Sequence, residues 1–109
     1  MRVAQRPGQG PWWRKNVVDF KAATARYAGA SAVLGFAADH PDEEVKHRDI
    51  LKANPHLEHR QVAAELGAMS KVARKVIGEK MWPLYAWQAS DGDMRYRLPA
   101  AIADWWKEA

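Results

Sequence analysis

Cysteine is absent from this chain of 109 residues. Its absence excludes disulfide bonds, a thiolate nucleophile and the sulfur-ligated zinc sites of many small domains. No apolar run reaches the ~18 residues that a membrane-spanning helix needs, because Arg14, Asp19 and Lys21 interrupt the most apolar half. The first residues also lack the apolar centre of a secretory signal. We therefore expect a cytoplasmic protein.

The common catalytic and cofactor motifs are also missing. The sequence contains no G-x-S-x-G, no G-x-x-x-x-G-K and no H-E-x-x-H, the patterns of a nucleophile elbow, a phosphate loop and a zinc protease. His56 and His59 have a spacing that suits a shared metal, but no third ligand is evident. The expectation is no enzyme, no cofactor and no metal site.

Basic residues, in contrast, are in excess. The 17 lysines and arginines outnumber 13 acids and give a net charge of +4, which favours a nucleic acid or another polyanion as partner. The excess lies in two blocks, 1–38 and 59–80, on either side of an acidic block at 39–58. This distribution suggests faces with different functions.

The N-terminal part divides into two predicted segments. Residues 1–11 contain two prolines and two glycines and are predicted to be a flexible basic arm. Residues 12–40 carry an apolar stripe at helical spacing and are predicted to be a helical extension. Gly29 and Gly35 interrupt it, so one kinked helix and two helices both fit. Its small side chains suit packing within the chain or a homodimer contact.

Three short helices are predicted in residues 41–80. Proline and acids at 41–44 are typical of a first helical turn, and Asn54-Pro55 ends that helix. A second helix runs from Leu57 to Leu66 and stops at Gly67. Ser70 then caps a third helix that continues to about Glu79.

The C-terminal part changes from helical to strand periodicity. Two aromatic-rich runs, 84–88 and 94–98, flank Asp91-Gly92, a strong signal for a β-hairpin turn. Pro99 opens a last helix. The predicted fold class is mainly α with a small β-hairpin.

Three segments in this order, RQVAAELG, SKVARKVI and YAWQASDGDMRYRL, resemble the winged helix-turn-helix family of DNA-binding domains over residues 41–98. The resemblance places Ala63 where the two helices cross, Leu66 under the turn and Gly67 in the turn. It implies a winged helix-turn-helix domain at 41–109, with an added N-terminal helix and a C-terminal helix.

That resemblance implies sequence-specific binding of double-stranded DNA, as a homodimer, in transcriptional or replicative control in a bacterium, phage or plasmid. The recognition helix would be about 70–80, with Arg74 as a base reader and Lys71 and Lys75 as phosphate or mixed contacts. The candidate DNA-binding residues are Arg60, Gln61, Ser70, Lys71, Arg74, Lys75, Arg95 and Arg97. Arg95 and Arg97 are expected to point from one strand face at solvent or phosphates.

Six tryptophans in so short a chain need an explanation. Trp12 and Trp13 cannot share one helix face, so one ring should be exposed; Trp13, Arg14 and Lys15 are candidate contacts to a partner or to nucleic acid. The other four tryptophans are expected to form one aromatic cluster between the hairpin and the last helix; they are Trp82, Trp87, Trp105 and Trp106.

The alternative hypothesis uses the same fold for protein binding. Asp91 and Asp93 make the hairpin tip acidic, and carboxylates repel phosphates. A winged-helix adaptor or inhibitor that docks on a protein through this tip and Trp13 would explain both the acidic tip and the exposed tryptophan.

Overall fold

The structure is a computed structural model that describes residues 12–109, so the predicted arm at 1–11 lies outside the described residues. The elements are α1 (Arg14–Thr24), α2 (Ala28–Ala38), β1 (Val45–Lys46), α3 (His47–Ala53), α4 (His59–Ile77), β2 (Tyr85–Gln88), β3 (Met94–Arg97) and α5 (Ala100–Glu108). The predicted class is confirmed, since helices dominate and the strands form one small antiparallel sheet. Within residues 12–109, no helix combines the length and apolarity that crossing a membrane requires.

The predicted extension at 12–40 forms two helices. The break comes at Ala25–Tyr27, where the Tyr27 amide donates to the Thr24 carbonyl at 2.9 Å. Trp12 is fully buried; its Nε1 donates to the Met81 carbonyl at 3.0 Å and its ring meets Phe20 edge-on. Both helices pack against α4 and α5, and their apolar residues belong to the same core as the rest of the chain.

Gly29 allows α2 and α4 to touch at the level of their backbones. A Cβ atom at this position would lie 3.0 Å from Val62 Cα, closer than such atoms can normally approach. The Glu65 carboxylate also accepts hydrogen bonds from the amides of Gly29 and Ala30, the latter at 3.3 Å. Glu65 therefore satisfies free amides at the N-terminus of α2, a favourable place for negative charge.

The predicted helical turn at Pro41–Glu44 is wrong. Asp42 has a left-handed φ of 61°, its amide donates to the Leu98 carbonyl, and its carboxylate accepts from the Ala100 amide at the start of α5. Val45 and Lys46 then form β1 beside β3. Proline and acids favour a helical first turn only where no stronger long-range partner competes, and here β3 and α5 provide partners.

The predicted helix-turn-helix at 59–80 is not formed. Residues His59–Ile77 make one continuous helix, Gly67 lies inside it, and Ser70 does not cap a helix. The helix ends instead at Gly78, which has a φ of 79° and donates its amide to the Arg74 carbonyl. The prediction of a recognition helix at about 70–80 therefore has the wrong boundaries.

The reason is the buried stripe of α4. Val62, Leu66 and Met69 are buried before and just after Gly67, and Val72 and Ala73 continue the same face. A glycine inside a helix costs up to ~1 kcal/mol relative to alanine, whereas burying each large apolar side chain contributes about 1.5–3 kcal/mol. The uninterrupted stripe therefore outweighs the glycine.

The predicted hairpin is confirmed. Tyr85–Gln88 pairs with Met94–Arg97, and Gly92 sits in the turn with a φ of 85°. The sheet order is β1-β3-β2, so β3 is central. Its Tyr96 is fully buried, whereas Arg95 and Arg97 lie on the outer face of the sheet with their cross-strand partners Trp87 and Tyr85.

A pair of glycine variants tests the continuity of α4. Gly67→Ala should raise the free energy of unfolding by up to ~1 kcal/mol, because a Cβ atom there meets no neighbour within 4 Å in the described part of the chain and alanine favours a helix. Gly78→Ala should lower it by a similar amount, since a positive φ is unfavourable for alanine. Urea unfolding measures both, and destabilisation by Gly67→Ala would contradict a continuous helix.

Candidate nucleic-acid interface

The candidate interface is one exposed face of α4, which we call the α4 face. It follows a three- and four-residue spacing along the helix, opposite the buried stripe. The exposed residues of the α4 face are Arg60, Ala63, Ala64, Gly67, Lys71, Arg74 and Lys75. Basic side chains therefore occupy both ends of the face and small residues its centre.

The basic residues of the α4 face are not neutralised within the described chain. Arg14, Arg48 and Arg95 form ion pairs, but among residues 12–109 Arg60 and Lys71 form none; the same holds for Arg74 and Lys75. Glu65, the only acid within α4, is half-buried against the start of α2. The α4 face is therefore a uniformly positive surface.

Two of the predicted site residues do not project freely from α4. Gln61 is exposed, but its side-chain amide donates to the Glu65 carboxylate at 3.2 Å. Ser70 is half-buried, and its hydroxyl oxygen accepts a hydrogen bond from Trp82 Nε1 at 2.9 Å. Ser70 thus holds the 78–84 segment against α4.

Arg95 does not point at solvent, contrary to the prediction. The residue is only 6% exposed. Its guanidinium lies 2.7 Å from an Asp91 carboxylate oxygen and 3.5 Å from one of Asp93, and its Nε lies 3.4 Å from Glu44. Three carboxylates therefore compete with any external phosphate for this guanidinium.

The acids of the hairpin tip are in turn held by cations. Asp91 pairs with Arg95 and with Arg48, the latter at 3.1 Å, and Arg48 also approaches Asp93. The hydrogen bond from Arg95 lowers the pKa of the Asp91 carboxyl, with help from the Asp93 amide. The hairpin tip is thus much closer to neutral than its sequence indicates.

Arg97 remains on the outer face of the sheet. It is half-buried, with its guanidinium carbon 4.5 Å from the ring centre of Tyr85. Trp87 lies beside it on the same face and is 37% exposed. Trp82 binds Ser70 and Trp105 lies against Trp13, so the predicted cluster of four tryptophans is wrong.

The three candidates near the N-terminus lie at the start of α1. Trp13 is 46% exposed and its ring centre is 6.2 Å from that of Trp105, whereas Trp12 is fully buried, which confirms the expected split. Arg14 pairs with Glu108 at 3.0 Å, and Lys15 is exposed. These residues form a separate surface from the α4 face.

A buried histidine next to the α4 face was missed by the sequence analysis. His47 Nδ1 is 2.9 Å from the Tyr96 hydroxyl, and its Nε2 is 3.0 Å from Nδ1 of His59, the first residue of α4. Burial lowers the pKa of His47, and the neighbouring His59 lowers it further, while Asp93 opposes both. The three residues are far apart in sequence, so no local pattern signals the contact.

No protein-family profile matches this chain, and no curated protein or solved structure is significantly similar to it.

A comparison of two arginines tests the assignment of the hairpin. Arg95→Gln should lower Tm more than Arg97→Gln, because Arg95 neutralises three carboxylates whereas Arg97 contacts a ring.

The stability of the wild-type protein should also fall as pH drops below 3.8, the unfolded pKa of Asp91, because the unfolded chain then binds more protons. Arg95→Gln should flatten this acid dependence. Thermal unfolding at several pH values measures both effects, and equal Tm losses would contradict the assignment.

Proposed function

We propose that this protein binds double-stranded DNA through the α4 face. One observation carries the proposal: four basic side chains without carboxylate partners among residues 12–109 share one side of a long helix, and that side has no acid. A positive stripe along a helix is the electrostatic pattern expected of a DNA-binding surface.

The dimensions of α4 suit a major groove. A helix of 19 residues is about 28 Å long, and Arg60 and Arg74 are about 21 Å apart along its axis. The major groove admits a single helix. Side chains at both ends of the α4 face would then reach the same groove several base pairs apart.

The small residues support close approach. A Cβ atom on Gly67 meets no atom of residues 12–109 within 4 Å, so packing within that part of the chain gives no reason for a glycine in the middle of α4. Its helix cost of up to ~1 kcal/mol is explained if a partner surface must come close to the backbone there. Ala63 and Ala64 also have small side chains, so the centre of the α4 face projects less than its ends.

The element order also supports the resemblance to winged helix-turn-helix domains, with a helix pair different from the one that the sequence pattern indicates. α3, the connection at 54–58 and α4 would be the helix-turn-helix, with α4 as the second, groove-reading helix. The hairpin β2-β3 follows α4 as the wing, and β1 completes its sheet.

Residue roles follow from the side-chain chemistry. Arg74 and Arg60 can each form bidentate hydrogen bonds with a guanine edge, and Lys71 and Lys75 suit phosphates. Arg97 adds a positive charge on the wing. Because Asp91 and Asp93 are paired with Arg48 and Arg95, the wing tip repels DNA less than its sequence suggests.

The homodimer and the regulatory role in a bacterium, phage or plasmid stay proposals. Trp13 and Val18 are exposed apolar side chains at α1, and they are the residues expected in a contact between two copies. The protein-adaptor alternative would use the same Trp13 surface. It predicts that DNA affinity is negligible and that loss of charge from the α4 face leaves partner binding unchanged.

Removal of charge from the α4 face tests the proposal. Arg74→Ala with Lys75→Ala should weaken duplex binding about tenfold or more. It should also reduce the slope of log K against log salt by about one for each phosphate that the variant no longer neutralises. Fluorescence anisotropy with a labelled random-sequence duplex at several salt concentrations measures both.

The matched control is Arg26→Ala with Lys107→Ala, which removes the same charge from exposed sites outside α4. It should leave affinity within about twofold of wild type, because only long-range attraction changes. If both double variants weaken binding equally, the α4 face is not the site. Absence of binding at low salt would exclude DNA as the partner.

A bulky residue at the centre of the α4 face tests close approach. Gly67→Leu should fold, because leucine favours helices and the position is open, yet it should weaken duplex binding about tenfold by holding the helix away from the bases. Ala23→Leu, an equally exposed change on α1, should bind as wild type. Unchanged affinity of Gly67→Leu would contradict backbone approach at this point. Circular dichroism confirms that each variant is folded.

A further inference from the structure

The hydrogen-bonded chain of Tyr96, His47 and His59 joins the three elements of the proposed interface. Tyr96 belongs to β3, His47 begins α3 and His59 begins α4. His47 is 3% exposed, whereas His59 is exposed and adjacent to Arg60 of the α4 face. The chain thus runs from the core to one end of the proposed DNA-binding surface.

Each of its two contacts has room for one hydrogen. When both rings are neutral, two arrangements fit. In one, the Tyr96 hydroxyl donates to His47 Nδ1 and His47 Nε2–H donates to His59 Nδ1. In the other, His59 Nδ1–H donates to His47 Nε2 and His47 Nδ1–H donates to the Tyr96 oxygen. Burial raises the pKa of Tyr96 to about 12, so its hydroxyl keeps its hydrogen at neutral pH.

The hydrogen-bonded residues Tyr96, His47 and His59 can accommodate one extra proton but not two. With one proton added, His59 carries hydrogens on both ring nitrogens, its Nδ1–H donates to His47 Nε2, and His47 Nδ1–H donates to the Tyr96 oxygen. A second proton would place a hydrogen on His47 Nε2 as well, so that two N–H groups face each other across 3.0 Å. That hydrogen bond would be lost and two positive charges would be adjacent.

The surrounding charges also favour His59 as the location of the added proton. Around His47, Asp93 is the facing carboxylate, and it is already shared with Arg48 and Arg95. His59 lies between Glu58 and Arg60 in the sequence and is open to water. The hydrated ring therefore carries the charge at lower cost than the buried one.

We propose that the His47–His59 pair takes up one proton, held on His59, and that this proton strengthens DNA binding by the α4 face. The inference rests on the proposed function. A cation at the N-terminus of a helix is unfavourable by itself, but a bound phosphate reverses the local field and adds an acceptor for His59 Nε2–H. Proton uptake and DNA binding are therefore coupled, and each favours the other.

The test measures duplex affinity between about pH 8 and pH 6, where histidine charge normally changes, at fixed ionic strength. As the pH is lowered, the wild-type Kd should decrease severalfold, within the limit of about tenfold per pH unit for one proton. In His59→Gln this dependence of log Kd on pH should disappear, and the slope is the readout rather than the affinity at any one pH. His40→Gln, which removes a half-buried histidine beside Phe36, should keep the wild-type slope.

A second measurement requires no DNA. Nuclear magnetic resonance of the ring protons in the free full-length chain should show His59 titrating while His47 stays neutral as long as the fold persists. Simultaneous titration of both rings in the folded protein would overturn the one-proton chain. A pH-independent wild-type Kd, or an unchanged slope in His59→Gln, would overturn the coupling, whereas absence of duplex binding at every pH would overturn the proposed function itself.

Discussion

The crossing of α2 and α4 at Gly29 is the constraint on which the rest of the structure depends. The missing side chain lets the two backbones meet at Val62, and Glu65 fastens the contact by accepting hydrogen bonds from the α2 amides. This contact fixes the rotation of α4 about its axis. Val62, Leu66 and Met69 then face the core, and the opposite side, with Arg60, Lys71 and Arg74, must face water. The basic surface is thus a geometric consequence of an apolar contact on the other side of the helix.

Arginine has different roles in the hairpin and on the α4 face. Arg95 lies among three carboxylates and holds the hairpin together, whereas Arg74 has no ion-pair partner among residues 12–109. A count of basic residues does not distinguish them. The distinction matters because an arginine already paired with carboxylates must break those contacts before it can bind a phosphate, and an unpaired arginine loses only water. The positive charge of the α4 face is therefore available to a partner, whereas that of Arg95 is not.

Interior and surface are connected through the His47 ring. It is buried between Tyr96 of the central strand and His59 at the start of α4, so the protonation of one exposed ring depends on a hydrogen-bond pattern that extends into the core. A pair of histidines in direct contact has properties that neither has alone, because the first proton changes the cost of the second. Such coupling is the physical basis of the proposed response to pH.

The sequence by itself determined the features that depend on neighbouring residues. The Asp91-Gly92 turn with its flanking aromatic runs located the hairpin, and helical spacing located the buried sides of the helices. It misled at Gly67, where the local signal for a turn is weaker than the burial of a stripe that continues on both sides. It also missed β1, because two residues carry no periodicity. Only the tertiary structure decided that Arg95 is paired, that His47 meets His59 and Tyr96, and that Gly78 rather than Gly67 ends the helix. Those outcomes depend on contacts between residues far apart in the chain, and local patterns do not record them.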